Sequence, residues 1–574
     1  MAEGAISMAA STTISGSLIG NPGAVDMGDG GQVFGRMLST KGAVSVYGTV
    51  ASSMSEWIKT ISNKWNTPGN WSSNAIPASY NNVNITTGTS VVSSTTSASC
   101  NNLTVNGGSL TINSDDLSSG SLIVAGTASG NITYDRFVSA GQWHIISAPV
   151  GNQSIDNFLA NPSNSIAFKD SVYAMTTYDE NLGRWNSFYS ATGNGLFEVG
   201  KGYLVGRSTT AGLLSFTGTI ADADFTYPVT NTIRGWNCVG NPFTSALGAI
   251  TGTSSTSNFI EVNGSLLDES HLALYLWDEQ ANYDGTLNDY EIFSNVGYTP
   301  DLVDNYYVQT GQGFMIKANA AGNISFTKDM QYHDTGTGFL KSSKSSWDGF
   351  KLMAESNEEV RSCIIAFHED MTTGLDPSYD VGMFKQAGKF AIYTRLAEED
   401  NDIDFEIQCL PEEIYEEIIV PVGVDMIESG TVKLSIGGII LNGKKFISLE
   451  DRDLGNIVNL ESEEDFYEAD IPSGDNTGRF FLHIEDSKND VSDKKIKEKT
   501  KYKAYWNGSE IVLESSIPSS ARVTIIDLNG MIHYEYYIHE ALLSYHSFSS
   551  HRKGIYFLRI LEENEVTTLK VNIF

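Results

Sequence analysis

The stretch "GAISMAASTTISGSLIGNP" (Gly4–Pro22) is followed by "GAVDMGDGGQVFGRMLSTK" (Gly23–Lys41) and then by "GAVSVYGTV" (Gly42–Val50). Gly4, Gly23 and Gly42 stand 19 residues apart, and Gly16 and Gly35 keep the same spacing. Ile6, Val25 and Val44 hold equivalent places, as do Leu18 and Met37. A fixed short period, with glycines at corners and alternating apolar residues between them, predicts β-solenoid coils over residues 1–50. Each coil buries its apolar side chains against the next, so the fold expected from this point onward is all-β.

The rest of the chain extends that reading. Within "CNNLTVNGGSLTINSDDLSSGSLIVAG" (Cys100–Gly126), Leu103 and Val105, Leu110 and Ile112, and Leu122 and Val124 alternate with polar residues between Gly-Gly and Asn-Gly turns. This predicts a second short β-roll or solenoid over 56–130. A duplication covers 131–335. "GQWHIISAPVGN" (Gly141–Asn152) parallels "RGWNCVGNPFTS" (Arg234–Ser245), with six residues from Trp to Pro in each. "GKGYLVGRSTTAGLLSFTG" (Gly200–Gly218) parallels "GQGFMIKANAAGNISFTKD" (Gly311–Asp329). Two related all-β units, or two halves of one sandwich, explain this best. "GKGYL" lacks the glycine spacing and following helix of a nucleotide loop, so its glycines are expected to relieve a tight strand. Residues 341–486 again read as alternating strands and predict a jelly-roll-like sandwich. Residues 487–503 form a charged linker. Residues 504–574 predict a small sandwich with strands at Glu510–Leu513, Val523–Asp527, Ile532–Tyr537, Ile555–Leu561 and Thr567–Ile573.

Composition narrows the function. At 574 residues the chain is long enough for several domains, and 41% hydrophobic with 18% charged residues is a globular balance. The net charge of −33 argues against binding nucleic acid through phosphates or docking on an anionic surface without divalent ions. Nearly all the excess lies upstream of Lys488, as a solvated face that also suits loosely held Ca²⁺. The loop "YLWDEQANYDGTLNDYEIF" (Tyr275–Phe293) offers Asp278, Asp284, Asn288 and Asp289 as oxygen ligands without EF-hand spacing; an Asx-rich hairpin loop is the competing reading. No other cofactor is expected. Cys100, Cys238, Cys363 and Cys409 lie far apart, with no Cys-x-x-Cys and no companion His. Separate buried thiols are expected, with a Cys363–Cys409 pair as the alternative. No run approaches 18 apolar residues, and "MAEGAISMAAS" has neither the basic start nor the apolar core of a signal peptide.

No Gly-x-Ser-x-Gly elbow, His-Glu-x-x-His or phosphate loop occurs. The nine histidines are scattered, four of them (His533, His539, His546, His551) in the last segment. Two carboxylates among 69 acidic residues would suffice for a glycoside hydrolase, but no catalytic framework is recognisable. The expectation is a non-catalytic protein.

Three stretches resemble known families. The first fifty residues resemble the closing coils of the ice-binding-protein-like β-solenoid, which implies further coils upstream of Met1. Ice binding is not implied, because no regular Thr ladder is present. The pattern Trp65, Asn66, Asn70, Trp71, Pro77, Val83, Ile85 resembles a module of large surface proteins of Bacteroidota; its aromatics suit either a sugar platform or a cap on a β-core. The last segment resembles the type A C-terminal sorting domain of the type IX secretion system. The matching features are Val523, Ile525, Asp527 and Gly530 in one strand and turn, "GIYFLRI" (Gly554–Ile560) with Gly554, Tyr556 and Leu558, and the terminal Lys570–Val571 pair. "HYEYY" (His533–Tyr537) is bulkier than the family's usual polar strand. The resemblance implies export through the periplasm to the cell surface, recognition by the type IX translocon and an outer-membrane shuttle barrel, and cleavage by a sortase-like peptidase that joins the new end to surface lipopolysaccharide. Adhesion to glycans or surfaces is the expected role, with a structural surface layer or filament as the alternative.

Overall fold

The computed structural model describes residues 2–34, 36–46, 49–51, 54–139, 143–208, 211–250, 257–277, 290–294, 306–334, 348–357, 359–384, 390–398, 401–441, 445–486, 502–506, 510–527, 531–547, 554–562 and 565–573. Among the described residues it is almost entirely β-structure, with two short α-helices, Ile155–Ala160 and Phe259–Asn263. Residues 1–486 form one compact unit and 487–574 a second.

The repeat does form a three-sided parallel solenoid. Ile6 pairs with Val25 and Val25 with Val44, while Leu18 pairs with Met37 and Thr13 with Gln32. The glycine period has a steric cause. A Cβ on Gly23 would lie 2.3 Å from the Gly4 carbonyl carbon, and one on Gly42 2.4 Å from the Ala24 nitrogen. Successive coils therefore stack backbone on backbone at this corner, and only glycine leaves the room. Met8, Met27 and Val33 fill the interior. Among the described residues, Ala2–Glu3, Ile6–Ser7 and Thr13–Ser15 each pair on one side only.

A second parallel stack follows, with Val83 over Leu103, Thr89 over Ser109 and Ser97 over Ser121. No break separates 56–130 from 131–335. The strand Ile132–Val138 lies parallel to Ser109–Asn113 as the last rung of the stack and antiparallel to Gly212–Gly218 as the first strand of the next layer. The boundary expected at 130 falls beside a strand that serves both modules.

The duplication is repeated in three dimensions. One four-stranded sheet runs Trp143–Ser147, Gly202–Gly206, Met175–Asp179, Arg184–Asn186; the other runs Trp236–Gly240, Gly313–Lys317, Leu274–Trp277, Tyr290–Phe293. Each half also pairs its first strand with its last, Ile132–Val138 with Gly212–Gly218 and Phe225–Val229 with Gly322–Phe326. The two α-helices occupy matching places after the Pro turns. Both are capped by a side chain accepting from the third helical N–H: Ser154 from Asn157 at 3.2 Å and Asn258 from Glu261 at 2.8 Å.

Between Gly349 and Asp486 eleven strands join in one sheet that folds over a single core of Phe350, Leu352, Val420, Val422, Leu434 and Leu482, among others. It is sandwich-like and mostly antiparallel, with Glu359–His368 and Phe405–Pro411 pairing in parallel. A buried Arg479–Asp451 pair, two-pronged at 3.0 and 2.7 Å and joined by the Tyr467 hydroxyl at 2.9 Å, ties its strands together.

Among its described residues the C-terminal unit holds five strands. The two strands expected at Glu510–Leu513 and Val523–Asp527 are one strand, Glu510–Asp527, whose register shifts between Glu514 and Ser519. Pro518 sits in that irregular stretch, where the ladder does not need its missing N–H. The strand expected at Ile532–Tyr537 extends to Ser547.

Candidate functional site

The residues carrying the sorting-domain pattern divide into two groups. Tyr556, Leu558 and Val571 lie in the core of the C-terminal unit with Val523, Ile525 and Ile560. Tyr556 pairs with Asp527 on one neighbour and Val571 on the other, so the pattern's three segments meet at adjacent rungs of one sheet. Tyr556, Leu558 and Ile560 point inward as alternation requires. Gly554 begins its strand opposite Ile573, and the backbone of Lys570 pairs with Phe557. Gly530 lies outside the described residues.

The four calcium candidates, Asp278, Asp284, Asn288 and Asp289, also lie outside the described residues. Among the described residues no three His, Cys, Asp or Glu side chains converge as metal ligands. All four cysteines are free and buried, and burial pushes the Cys100 thiol up to about 12.

The tryptophans of the second stack cap a core. Trp65 and Trp71 are 0% and 1% exposed. Trp71 meets Trp57 and Trp65 edge to face, with centroids 4.9 and 4.7 Å away, and its Nε1 donates to the Trp65 carbonyl at 2.7 Å. Asn70 is buried and fully employed. It accepts from the Ile61 and Ser62 N–H groups at 3.0 and 2.9 Å, and donates to the Lys64 carbonyl at 2.9 Å. The sugar-platform reading of these rings is therefore excluded by burial.

The Gly-x-Gly pairs form a seam between the duplicated halves. A Cβ on Gly202 would lie 2.3 Å from Cys238 Sγ and 2.7 Å from the Val239 oxygen; one on Gly313 would lie 2.6 Å from Ile145 Cγ2 and 2.9 Å from the Ile146 oxygen. Ile146 bridges Gln312, and Val239 bridges Lys201. These are equivalent positions exchanged between the halves, as a two-fold relation requires. A second link is the Glu180 carboxylate, which accepts from four successive N–H groups, Thr232, Ile233, Arg234 and Gly235, at 3.2, 2.9, 2.5 and 2.8 Å. Burial opposes its ionisation, but those four bonds hold it below the usual carboxylate range.

Where the second half meets the sandwich, His271 Nδ1 lies 2.9 Å from Asp268, and Lys317 Nζ lies 3.2 Å from the same nitrogen. Burial holds His271 below the usual imidazole value; Lys317 works the same way, and Asp268 opposes both. Tyr275 donates its hydroxyl proton to the Gly382 carbonyl at 2.6 Å. Nearby, burial pushes the Asp380 carboxyl up to about 8, against the Cys409 and Asp376 N–H groups that bond it.

One surface was not singled out by sequence reasoning. The segment between the Trp strand and the Gly-x-Gly strand of the first half exposes Phe168 (54%) and Phe188 (52%). Phe168 lies 4.7 Å from Tyr173 across a two-residue hairpin, and Phe188 lies 6.2 Å from Trp143. The signal available in the sequence was the composition of "RWNSFYSATGNG" (Arg184–Gly195), rings alternating with small hydrogen-bonding residues.

No curated protein matches the chain. Residues 56–484 match a family described as a domain of unknown function, DUF8693. That span runs from the second stack through the duplicated halves to the last strand of the sandwich, and leaves the first solenoid and the C-terminal unit outside it. Since it covers most of the chain, the protein belongs to the DUF8693 family.

Proposed function

We propose that this is a non-catalytic cell-surface or secreted protein, exported by the type IX route and adhering to glycans or surfaces. The observation that carries the reading is the C-terminal unit. It is compact apart from residues 1–486, and the segments resembling a type A sorting domain lie on neighbouring strands within it. The translocon, the outer-membrane shuttle barrel and the sortase-like peptidase are its proposed partners, and surface lipopolysaccharide its proposed anchor. Because Tyr556, Leu558 and Val571 are buried, their part in recognition is to hold the fold. Lys570 is the residue proposed to be read directly. The adhesive role is supported by the exposed rings of the first duplicated half, which the protein keeps in water at a cost in solubility.

Deleting Gly554–Phe574 is expected to leave residues 1–486 folded and strand the protein in the periplasm of a type IX host. Grafting Lys488–Phe574 onto a carrier with a signal peptide should bring that carrier to the surface. Lys570→Ala should reduce export more than it lowers the melting temperature of the C-terminal unit. Normal export of the deleted protein overturns the sorting assignment.

A further inference from the structure

We propose that the ring face around Trp143 and Phe188 in the first half docks a phenylalanine-bearing loop of another protein, as the second half docks Phe384 of the sandwich. The inference goes beyond the export and adhesion readings and needs neither. It starts from the duplication. Trp143 and Trp236 open equivalent strands. Thr176 pairs with Leu204 and Tyr275 with Met315, at equivalent places after the Gly-x-Gly turns. Further along, Tyr178 pairs with Trp185 and Trp277 with Tyr290. Both of these cross-strand pairs meet edge to face, with centroids 5.5 and 5.2 Å apart. Each half therefore carries the same set: a tryptophan on one edge strand of its sheet and a Tyr–Trp pair at the other edge.

In the second half the set is in use. Phe384 lies 4.4 Å from Trp236 and 5.0 Å from Tyr290, edge on to both. The Tyr275 hydroxyl anchors the same loop through the Gly382 carbonyl. Trp236, Trp277 and Tyr290 are left 8%, 6% and 7% exposed. In the first half Trp143, Tyr178 and Trp185 are only half-buried. Among the described residues the ring that meets Trp143 is Phe188, tilted at 6.2 Å and itself open to water. The backbone holds Phe188 there. Ser187 has a φ of 67°, a conformation that persists in a serine where the surroundings over-determine it. The next residue, Tyr189, is tied the other way: its N–H donates to the Met175 carbonyl at 3.0 Å and its ring lies 6.3 Å from Tyr203.

Continuity with the existing junction selects the occupant. Tyr178 lies 6.2 Å from Phe384. Trp143, Tyr178 and Trp185 pack against the same apolar cluster that holds Val381, Phe384 and Ile407 of the sandwich. The half-covered rings thus extend an interface that already takes a protein loop, and aromatic anchors carry most of the energy of such interfaces. Thr176 stands where the second half has Tyr275, and its hydroxyl is taken by the Asn186 carbonyl at 2.5 Å. The first half therefore offers a partner no donor like the Tyr275 hydroxyl, and docking there rests on ring against ring.

The probe is an immobilised peptide of the loop that the second half takes, Asp380–Phe384, titrated with the full chain. The full chain should bind it at least tenfold more tightly than the Phe384→Ala peptide. Phe188→Ala in the protein should weaken binding at least fivefold with an unchanged melting temperature, and Phe188→Tyr should bind like the parent. A peptide with benzoylphenylalanine in place of its phenylalanine should crosslink, on irradiation, within residues 143–188. Five outcomes overturn the inference. Two are an absence of peptide binding and equal binding by Phe188→Ala. A third is crosslinking confined to residues 236–293, where the peptide would merely displace Phe384. A fourth is a concentration-dependent dimer in light scattering that Phe188→Ala abolishes, which puts a second copy on the face. The last is retardation by a neutral polysaccharide in native gels that Phe188→Ala abolishes, which puts a glycan there.

Discussion

In the first half of the duplication, the segment between the Trp strand and the Gly-x-Gly strand carries Phe168 and Phe188 outward. In the second half, the matching segment carries Asp268, His271 and Tyr275 into a junction with the sandwich of residues 349–486, where a Cβ on Gly382 would lie 2.4 Å from the His271 ring. Strand order, helix position and helix cap are the same in both. The strands are constrained by their pairing and by the shared seam. The insertions differ in how much they bury: the first turns Phe168 and Phe188 to water while Tyr178 packs on Phe384 of the sandwich, and the second is buried at that sandwich through His271 and Tyr275. A duplicated framework can therefore hold one copy for assembly and release the other for binding.

The largest test of this comparison is at the seam. Gly202→Val and Gly313→Val each drive a side chain into the opposite backbone, and each should cost about 3 kcal/mol in urea unfolding of residues 1–486, the upper end for overpacking a dense interior. The two-fold relation requires similar losses, and a neutral outcome at either position would break it.

Next is the Glu180 clamp. Glu180→Ala leaves four N–H groups of the second half without their carboxylate and should cost about 2 kcal/mol, in the range for charge-assisted bonds to a buried group. Glu180→Gln keeps an acceptor and should cost less. If both variants match the parent, the halves are held by the seam alone.

The junction should show itself in pH. His271 has a lowered value in the folded protein, so the neutral form is the one that the fold prefers. Its contribution is fully present above the unfolded value of about 6.5 and is lost as pH falls below it. The melting temperature should drop between pH 7 and pH 5, and His271→Gln should flatten that part of the profile. The first half has no such residue at the matching place, so an unchanged slope in the variant would remove the asymmetry drawn here.

The smallest expected effect is on stability at the exposed rings. Phe188→Ala should change unfolding free energy by no more than about 0.5 kcal/mol, as surface substitutions do. A larger loss would mean that the ring serves the fold.

Much of the architecture was legible because it depends on short-range rules. The 19-residue glycine period is visible because Gly23 and Gly42 each press against the backbone of the coil before, so one steric demand recurs at one spacing. The Trp-to-Pro spacing and the Gly-x-Gly pairs exposed the duplication because both halves meet at one seam. The C-terminal strand was misread as two because Pro518 looks like a break locally, whereas the neighbouring strands carry the ladder past it. The shared strand Ile132–Val138 was hidden because nothing in seven residues says that its two edges belong to different modules.

The all-β class, the coil repeat, the duplication and the separate C-terminal segment follow from local pattern, since periodicity and turn chemistry are properties of neighbours along the chain. Which aromatic rings are available depends on how distant strands pack. Trp65 and Trp71 suited either a platform or a cap and are a cap; Phe197 is 3% exposed and Phe188, nine residues earlier in the same loop, 52%. Residue type states what a ring can do when it meets water or a sugar. Whether it meets either is set by the other strands folded around it, which no local pattern encodes.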